Sequence, residues 1–251
     1  MKIIAPNNFF TRLFFYFSPK EIQDNIQILP SSLITTELKK TVNAVALIPS
    51  MDLLKNKDFF VSKQFGLSFE GGLSNSYIYY TKNSKDVPEI TLTGDVSSCE
   101  AILTKILFKE LYDQEVKINL AINPGEKPEG SFILAGDNNL AEDNFVNGIS
   151  FAEEIVELIN LPYVNYLFAS KDRELISQFN SMAESFIAEF TEKAEDAVKA
   201  VIPSNIQEYV LANLPAFVFK FDELDLEGVE QLLRLPYFHG IINEIVELNL
   251  V

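Results

Sequence analysis

The 251-residue sequence has one cysteine, Cys99, one histidine, His239, and no tryptophan. A single cysteine cannot form a disulfide within the chain, and it gives no basis for a cysteine-ligated metal site. A single histidine excludes the histidine clusters that commonly bind transition metals. We therefore expect no metal site and no cofactor, and we interpret His239 as a structural residue.

Positive charge is also scarce, since 20 lysines and arginines stand against 36 aspartates and glutamates, a formal net charge of −16. Nucleic acid and anionic membrane surfaces are disfavoured as partners, because both require a dense cationic face. A small anionic ligand is still compatible with this charge where local dipoles or a few cations outweigh the overall field.

Long hydrophobic runs are missing as well, and none approaches the length of a membrane span. The segment Met1-Lys2-Ile3-Ile4 is typical of a strand and lacks the pattern of a secretory leader, so we expect none. We therefore expect a cytoplasmic protein with no membrane partner.

Residues 44–50, AVALIPS, contain five consecutive apolar residues followed by a proline and a serine. A continuous apolar strand predicts burial on both faces, as in a parallel sheet covered by helices. Ligands of such sheets bind at the carboxyl ends of the strands. Ser50 is therefore a candidate pocket hydroxyl, and it can equally cap the helical segment that follows.

Strands and helices alternate along the chain. Strands predicted at 2–5, 26–29 and 44–48, with a helix at 33–40, indicate β-α-β connections and a parallel sheet. The fold class is therefore α/β, with two sheet-bearing lobes and a candidate crossing at 83–88. The other predicted segments are strands at 75–81, 89–93, 116–122, 131–135 and 161–169, helices after the capping boxes Ser97/Glu100 and Ser150/Glu153, a long helix at 173–201, and shorter ones near 204–214 and 227–235.

Five blocks of the sequence together carry a resemblance to a known family. They are PSSLITTELKKTVNAVALIPSMDLL at 30–54, GGLSNSYIY at 71–79, TGDVSSCEAILTKILFKELY at 93–112, ILAGDNNL at 133–140 and FAEEIVELINLPYVNYLFAS at 151–170. In this order they resemble the menaquinone-biosynthesis proteins of the futalosine route, particularly the chorismate dehydratase branch.

The resemblance implies the fold of type II periplasmic binding proteins, with two α/β lobes around a central cleft. The first lobe would comprise residues 1–85 and 180–251, and the second residues 86–179. It also implies a small-molecule ligand in the cleft and an activity, the removal of water from chorismate to give an enolpyruvyl-oxy benzoate. The expected assembly is a monomer or a homodimer.

The sequence departs from this family where the chemistry would occur. The dehydratase branch has a Ser-Tyr-Leu-Asn-Thr-x-Pro-like motif near its N-terminus, whose Asn is assigned a catalytic role. Placed without gaps, Thr11 matches, but Phe10 stands at the Asn position, and a phenyl ring can neither accept a proton nor donate a hydrogen bond. Asn7 or Asn8 could act there only if the loop is shifted.

A second departure lies at the serine-rich turn, where the family favours Ser-Arg-Thr-Ser and this chain has Ser98-Cys99-Glu100-Ala101. A glutamate at a helix start stabilises the helix but repels an arriving anion. Two unit charges about 4 Å apart repel by about 4 kcal/mol at an effective dielectric near 20. Asn75 likewise stands where a serine is typical.

Two functions follow as hypotheses. The first is a chorismate-dehydratase-like lyase with Asn8 as the candidate catalytic residue. The second is a diverged protein of the same fold that binds a small molecule without catalysis, or one that takes a different flat ligand, which can be less anionic. Arg12 can bind a ligand carboxylate or form a surface salt bridge, and Asp137 can line the cleft or stabilise its own turn. For both hypotheses the candidate ligand-binding residues are Thr11, Arg12, Ser50, Asn75, Ser76, Ser97, Ser98, Gly136 and Asp137.

Overall fold

The protein is described here as a computed structural model that covers residues 1–81, 87–123, 127–141 and 144–251. Its strands are β1 Lys2–Pro6, β2 Ile26–Leu29, β3 Ala44–Pro49, β4 Phe60–Phe69, β5 Ser76–Tyr79, β6 Glu89–Gly94, β7 Lys117–Leu120, β8 Phe132–Ala135, β9 Ile149–Ser150, β10 Tyr163–Ser170, β11 Phe217–Lys220 and β12 Asn249–Leu250.

The α-helices are α1 Phe9–Phe14, α2 Lys20–Gln23, α3 Ser31–Lys40, α4 Ser98–Tyr112, α5 Asn138–Ala141, α6 Phe151–Ile159, α7 Arg173–Val201, α8 Gln207–Ala212 and α9 Glu223–Phe238. Short 3-10 helices span Ser50–Lys55, Asn144–Asn147 and Leu214–Ala216. The capping box predicted for α4 is confirmed, since Ser97 caps the helix and Glu100 bonds back to the Ser97 backbone. The long helix α7 has the predicted limits, but it is kinked at Lys193, whose φ of −128° and ψ of 31° are not helical.

Seven of the described strands form the first sheet, in the order β11-β4-β10-β3-β1-β2, with β12 paired to β4. β1 pairs in parallel with both β2 and β3, which confirms the predicted β-α-β start. All six residues of β3 are buried, as its continuous apolar run predicts. β10 lies antiparallel between β3 and β4.

Five of the described strands form the second sheet, in the order β7-β6-β8-β5-β9. β6 is parallel to β7 and to β8, whereas β5 is antiparallel to β8 and to β9. We call the part of the protein built on the first sheet the first lobe, and the part built on the second sheet the second lobe. The two sheets with their helices confirm the α/β fold class.

Sheet membership does not follow the predicted lobe boundaries. β10 was expected in the second lobe but pairs within the first sheet, and β5 was expected in the first lobe but pairs within the second. The eight residues of β10 are all buried, which suits a central strand between β3 and β4. The predicted boundary between 85 and 86 and part of the predicted crossing at 83–88 lie outside the described residues.

An aromatic core anchors α1 to the first sheet. The ring of Phe14 lies 4.8 Å from that of Phe168 in β10, 5.2 Å from Phe219 in β11 and 5.6 Å from Phe186 in α7, measured between centroids. Truncating a ring packed in this way typically costs about 3–5 kcal/mol. These contacts of its last residue therefore hold α1 against the first sheet.

Gly94 ends β6 with a positive φ of 85°. A Cβ atom built on it would lie 2.1 Å from the carbonyl oxygen of Ala135, its register partner in β8. Only glycine allows this approach, because any side chain would collide with the neighbouring backbone. The turn that follows, beginning with Asp95, depends on this close contact.

We expect Gly94→Ala to lower the free energy of unfolding by about 3 kcal/mol, since it adds a backbone collision to the strain of a positive φ. Gly130→Ala is the matched control, because Gly130 has a φ of 93° and no atom within 4 Å of the added Cβ. The control should lose about 1 kcal/mol. Denaturant unfolding measures both, and equal losses would show that contact with Ala135 is unimportant.

Candidate functional site

A cavity of about 1000 Å³ lies between the two sheets, at the carboxyl ends of β2, β6 and β8. Both lobes contribute to it, since Pro30 follows β2 in the first sheet and Gly94 and Gly136 belong to strand ends of the second. This is the position at which open α/β sheets bind their ligands. The apolar lining residues include Ile28, Leu29, Leu92, Val96, Ala101, Leu120, Ala121 and Ala135.

The charged lining of this cavity is acidic. Three carboxylates, from Asp52, Asp95 and Asp137, face it, and the described lining residues include no lysine or arginine. Asp52 also accepts a hydrogen bond from the hydroxyl of Thr35. The remaining polar lining residues are Asn7, Ser32, Thr93, Ser97, Ser98 and Asn138.

Asp95 joins the two lobes through Ser31, a contact that we call the Asp95 bridge. The Ser31 backbone N–H donates to Asp95 Oδ1 at 2.8 Å, and the Ser31 hydroxyl donates to Oδ2 at 2.7 Å. Ser31 is fully buried at the start of α3, whereas Asp95 follows β6. A carboxylate at a helix start is favoured by the free N–H groups and by the helix dipole. The bridge is therefore made of charge-assisted hydrogen bonds across the cleft.

Tyr166 of β10 supports the Asp95 bridge from within the first lobe. Its hydroxyl lies 2.7 Å from the Ser31 hydroxyl. The single Ser31 hydroxyl proton goes to the carboxylate, so Tyr166 must donate to Ser31. Burial raises the pKa of Tyr166 well above its ordinary value, which keeps the phenol protonated and able to donate.

Asp137 joins the lobes at a second point, the Asp137 bridge. The Phe9 backbone N–H donates to Asp137 Oδ1 at 2.7 Å, and Arg12 Nη2 donates to Oδ2 at 2.6 Å. The Arg12 side chain is 40% exposed and that of Asp137 is 22% exposed. Such an ion pair contributes about 1 kcal/mol or less. The hydrogen bond from the anchored Phe9 backbone therefore fixes the geometry, and Arg12 supplies the balancing charge.

The two bridges share one local structure. Asp95 follows Gly94 and Asp137 follows Gly136, and both glycines have positive φ values, 85° and 95°. Gly94 pairs in register with Ala135, the residue before Gly136, on adjacent parallel strands. Each Gly-Asp pair thus directs a carboxylate from the end of its strand towards the start of a helix in the first lobe.

A third contact between the lobes involves Cys99. Its sulfur lies 3.4 Å from the Ser50 hydroxyl and donates to the carbonyl oxygen of Asn165 in β10 at 3.5 Å. Cys99 is fully buried, and burial raises its pKa to about 11. A neutral, enclosed thiol is a packing group rather than a nucleophile.

Both carboxylate oxygens of Glu100 accept hydrogen bonds from other residues of the protein. Its Oε2 accepts from the Ser97 backbone N–H at 2.9 Å and from the Ser97 hydroxyl at 2.6 Å, and its Oε1 accepts from the Ser76 hydroxyl at 3.1 Å. The side chain is fully buried. Ser97 and Ser76 are therefore engaged with an internal carboxylate at the start of α4.

The predicted site residues divide into two groups. Ser97, Ser98, Gly136 and Asp137 line the cavity together. The others do not belong to its lining, and the ligand-binding role of the whole set stays a prediction. The residues outside the lining are Asn8, Thr11, Arg12, Ser50, Asn75 and Ser76.

Asn8 and Phe10 have structural roles. Asn8 caps α1, because its Oδ1 accepts from the Thr11 backbone N–H at 2.8 Å. Phe10 is 3% exposed and packs edge-on against Phe69 and Phe217 at centroid distances of 5.1 and 5.4 Å. The position where the resemblance expects an amide is thus part of the aromatic core.

Two acidic lining residues, Asp52 and Asp95, were missed from the sequence. Asp95 carried a usable signal, since it follows a glycine at a strand end just as Asp137 does. Asp52 had a weaker signal, because it follows the buried strand β3 by only three residues. A search for carboxylates within three residues of a strand end would have found both residues.

Comparison with protein-family models and with curated proteins gave no match. Solved structures do match over nearly the whole chain. Protein AF1704 from Archaeoglobus fulgidus is 13% identical, with a TM-score of 0.70, and the match covers 96% of this chain and 98% of that one. The Candida albicans CA3427 gene product, described as having the generic periplasmic binding protein fold, is 10% identical, with a TM-score of 0.64 and coverage of 97% and 91%.

A third similar structure is the alkanesulfonate-binding protein SsuA from Xanthomonas axonopodis pv. citri bound to MOPS. It is 10% identical, with a TM-score of 0.61, and the match covers 98% of this chain and 95% of that one. The chain therefore has the two-lobed fold of periplasmic-binding-protein-like proteins, which confirms the predicted fold and the cleft between its lobes.

Two further properties concern the described residues alone. No helix among them is both long and apolar enough to cross a membrane. Nor do three or more of their histidine, cysteine, aspartate or glutamate side chains form a group that could hold a metal ion.

The Asp137 bridge predicts a pH dependence. Burial raises the pKa of Asp137 above its ordinary value of 3.8, although the bonds from Phe9 and Arg12 oppose this shift. The folded protein then binds this proton more tightly than the unfolded chain, so the stabilisation is present below pH 3.8 and is lost as the pH rises through the raised pKa. The stability of the wild type relative to Asp137→Asn should therefore fall as the pH rises through this window.

Denaturant unfolding at a series of pH values measures this difference. Asp58→Asn, at an exposed carboxylate, controls for the loss of one charge. A relative stability that instead rises with pH would mean that the pairing with Arg12 outweighs burial.

Proposed function

We propose that the protein binds a small, largely apolar molecule without negative charge in the cavity between its lobes, and that it does not catalyse the dehydration of chorismate. The observation that carries this proposal is the lining of the cavity: apolar side chains and three carboxylates, without a lysine or arginine among the described lining residues. Chorismate carries two carboxylates, which such a lining would repel.

Ser98 supports a binding function. It lines the cavity at the start of α4, and its buried hydroxyl oxygen has no hydrogen-bond partner among the described residues. A buried hydroxyl without a partner is costly unless a ligand or water satisfies it. A rotation of the Ser98 side chain would bring this hydroxyl to a polar group of the bound molecule, whose apolar body would lie against Leu92, Val96 and Leu120.

The fold neighbours support ligand binding as the class of function, although the ligand of one of them has the opposite charge character to the ligand proposed here. SsuA binds alkanesulfonates, which are anions, in the same two-lobed fold. In the present chain the backbone donors Phe9 and Ser31, at the starts of α1 and α3, already bond to Asp137 and Asp95. A neutral or cationic ligand fits this arrangement better than an anion does.

The chorismate lyase is the second candidate, and one observation favours it. Asn8 Nδ2 and Thr11 Oγ1, at or beside the family motif, are buried without a hydrogen-bond partner among the described residues. A rearranged α1 start could present both to a substrate. The proton acceptor that the elimination needs would then have to come from this loop.

Thermal-shift binding and a chorismate turnover assay separate the two candidates. We expect that the protein does not consume chorismate and that chorismate does not raise its Tm. A neutral or cationic aromatic ligand at about a hundred times its dissociation constant should stabilise by about 2.7 kcal/mol and raise Tm by about 8 °C. Consumption of chorismate that is abolished by Asn8→Ala would overturn the proposal in favour of the lyase.

A matched pair of variants tests whether binding occurs in this cavity. Ala101→Trp should abolish the thermal shift, because the indole would occupy space next to Ala101 in the cavity lining. Leu33→Trp, at a half-exposed position of α3 outside the lining, should bind normally. Equal binding by both variants would place the ligand elsewhere.

A further inference from the structure

We infer that Asp95 and Asp137 act as internal ligands of the cleft: their carboxylates occupy donor groups of the first lobe, hold the lobes together without a bound molecule, and exclude anions from those donors. The part of this inference that concerns the charge of the ligand rests on the proposed function. The part that concerns the contact between the lobes does not.

The Asp95 bridge leaves no free donor for an external anion at Ser31. Both carboxylate oxygens accept from Ser31, one from the backbone N–H and one from the hydroxyl. Tyr166 donates to the same hydroxyl, which fixes its proton towards Asp95. An incoming carboxylate could reach these donors only by displacing Asp95.

The Asp137 bridge does the same to Arg12, which pairs with this lining carboxylate. Arg12 donates to Asp137 and also to Asn7 Oδ1, at 3.1 Å. Its positive charge is thus balanced within the protein. The Phe9 backbone N–H, the other donor of this bridge, is occupied by Asp137 Oδ1.

The charges of the cavity lining add to this effect and select against anionic ligands. An anion in the cavity would face the charges of Asp52 and Asp95, since Arg12 balances that of Asp137 and the described lining residues include no lysine or arginine. A single uncompensated like charge about 4 Å away lowers affinity about a thousandfold at an effective dielectric near 20. The selected ligand class is therefore a neutral molecule or an amine with an apolar body.

Chemical rescue of Asp95→Ala tests the bridge directly. Removing the carboxylate leaves the Ser31 donors unsatisfied and should lower Tm. Acetate should then fill the vacated position and restore about 5 °C, whereas chloride at equal ionic strength should not. Wild type and Asp58→Ala, which loses an exposed carboxylate, should show no acetate-specific rise.

Asp95→Asn is the matched occupied variant, because its amide oxygen can still accept from the Ser31 backbone. It should fold and show no acetate-specific rise. Should Asp95→Ala not fold in chloride, recovery of its circular dichroism in acetate is the same positive result. Absence of any acetate effect on Asp95→Ala would overturn the inference.

Ligand charge is tested with benzoate and benzylamine, two probes of similar shape and opposite charge. Relative to wild type, the double variant Asp95→Ala/Asp137→Ala should bind benzoate at least about tenfold more tightly. Benzylamine should bind the double variant more weakly than it binds wild type. An unchanged benzoate affinity would contradict the exclusion of anions by these two residues.

Closure is measured as a distance between spin labels at Leu33→Cys in the first lobe and Ile122→Cys in the second. Leu33 is 50% exposed and Ile122 is 96% exposed, and the native Cys99 is fully buried. Without ligand, the otherwise wild-type protein should give one short distance. The added Asp95→Ala/Asp137→Ala changes should lengthen or broaden it, and an unchanged distribution would show that the bridges do not hold the lobes.

The outcomes of these experiments distinguish a failure of this inference from a failure of the proposed function. Acetate rescue and the label distance need no natural ligand, so they can succeed even if no small molecule is found for the cavity. Conversely, a ligand whose binding is abolished by Ala101→Trp would stand even if acetate had no effect on Asp95→Ala.

Discussion

The hydrogen bonds between Asp95 and Ser31 are the contact on which the geometry of the cleft depends. They connect the end of β6 in the second sheet to the start of α3 beside the first. Tyr166 donates to Ser31 from the buried strand β10, so a line of donors runs from the core of the first lobe to the cleft wall. The Tyr166 phenol, the Ser31 hydroxyl and the Asp95 carboxylate thus form one line of hydrogen bonds, and the dipole of α3 adds to the stabilisation of the carboxylate. The Asp137 bridge repeats the principle at α1, with Arg12 in place of the phenol.

The local part of the fold could be predicted from the sequence. The apolar run of β3 and the cap of α4 depend on residues close together in the chain, and the parallel pairing of β1 follows from the β-α-β order of the segments. β4 was missed, although it is ten residues long, because its partners β10, β11 and β12 lie far along the sequence. Gly66 also interrupts its pattern, and a Cβ there would lie 2.5 Å from the carbonyl oxygen of Tyr166. The position of β10 was misjudged for the same reason, since burial marks a central strand but does not say in which sheet.

The candidate site was predictable where its residues follow a strand or start a helix. Ser97, Ser98, Gly136 and Asp137 were found by that rule and line the cavity together. Asp95 follows a strand end in the same way and was overlooked, and no local pattern indicates its bond to Ser31, 64 residues earlier in the chain. The family resemblance led to Asn8 and Thr11, but the local need to cap α1 engages the Asn8 oxygen, and packing places Phe10 among aromatic rings. Family motifs indicate where a site lies, whereas tertiary contacts decide which of its groups are free.

The pairing of β6 with β8 has a mechanical consequence. Gly94 and Ala135 are register partners, and the Asp95 backbone N–H donates to the Ala135 carbonyl at 3.0 Å, so both Gly-Asp turns stand on one rigid ribbon. The backbones of the two turns therefore move together as one rigid unit. We expect the lobes to separate in a single cooperative step, in which both bridges are lost at once.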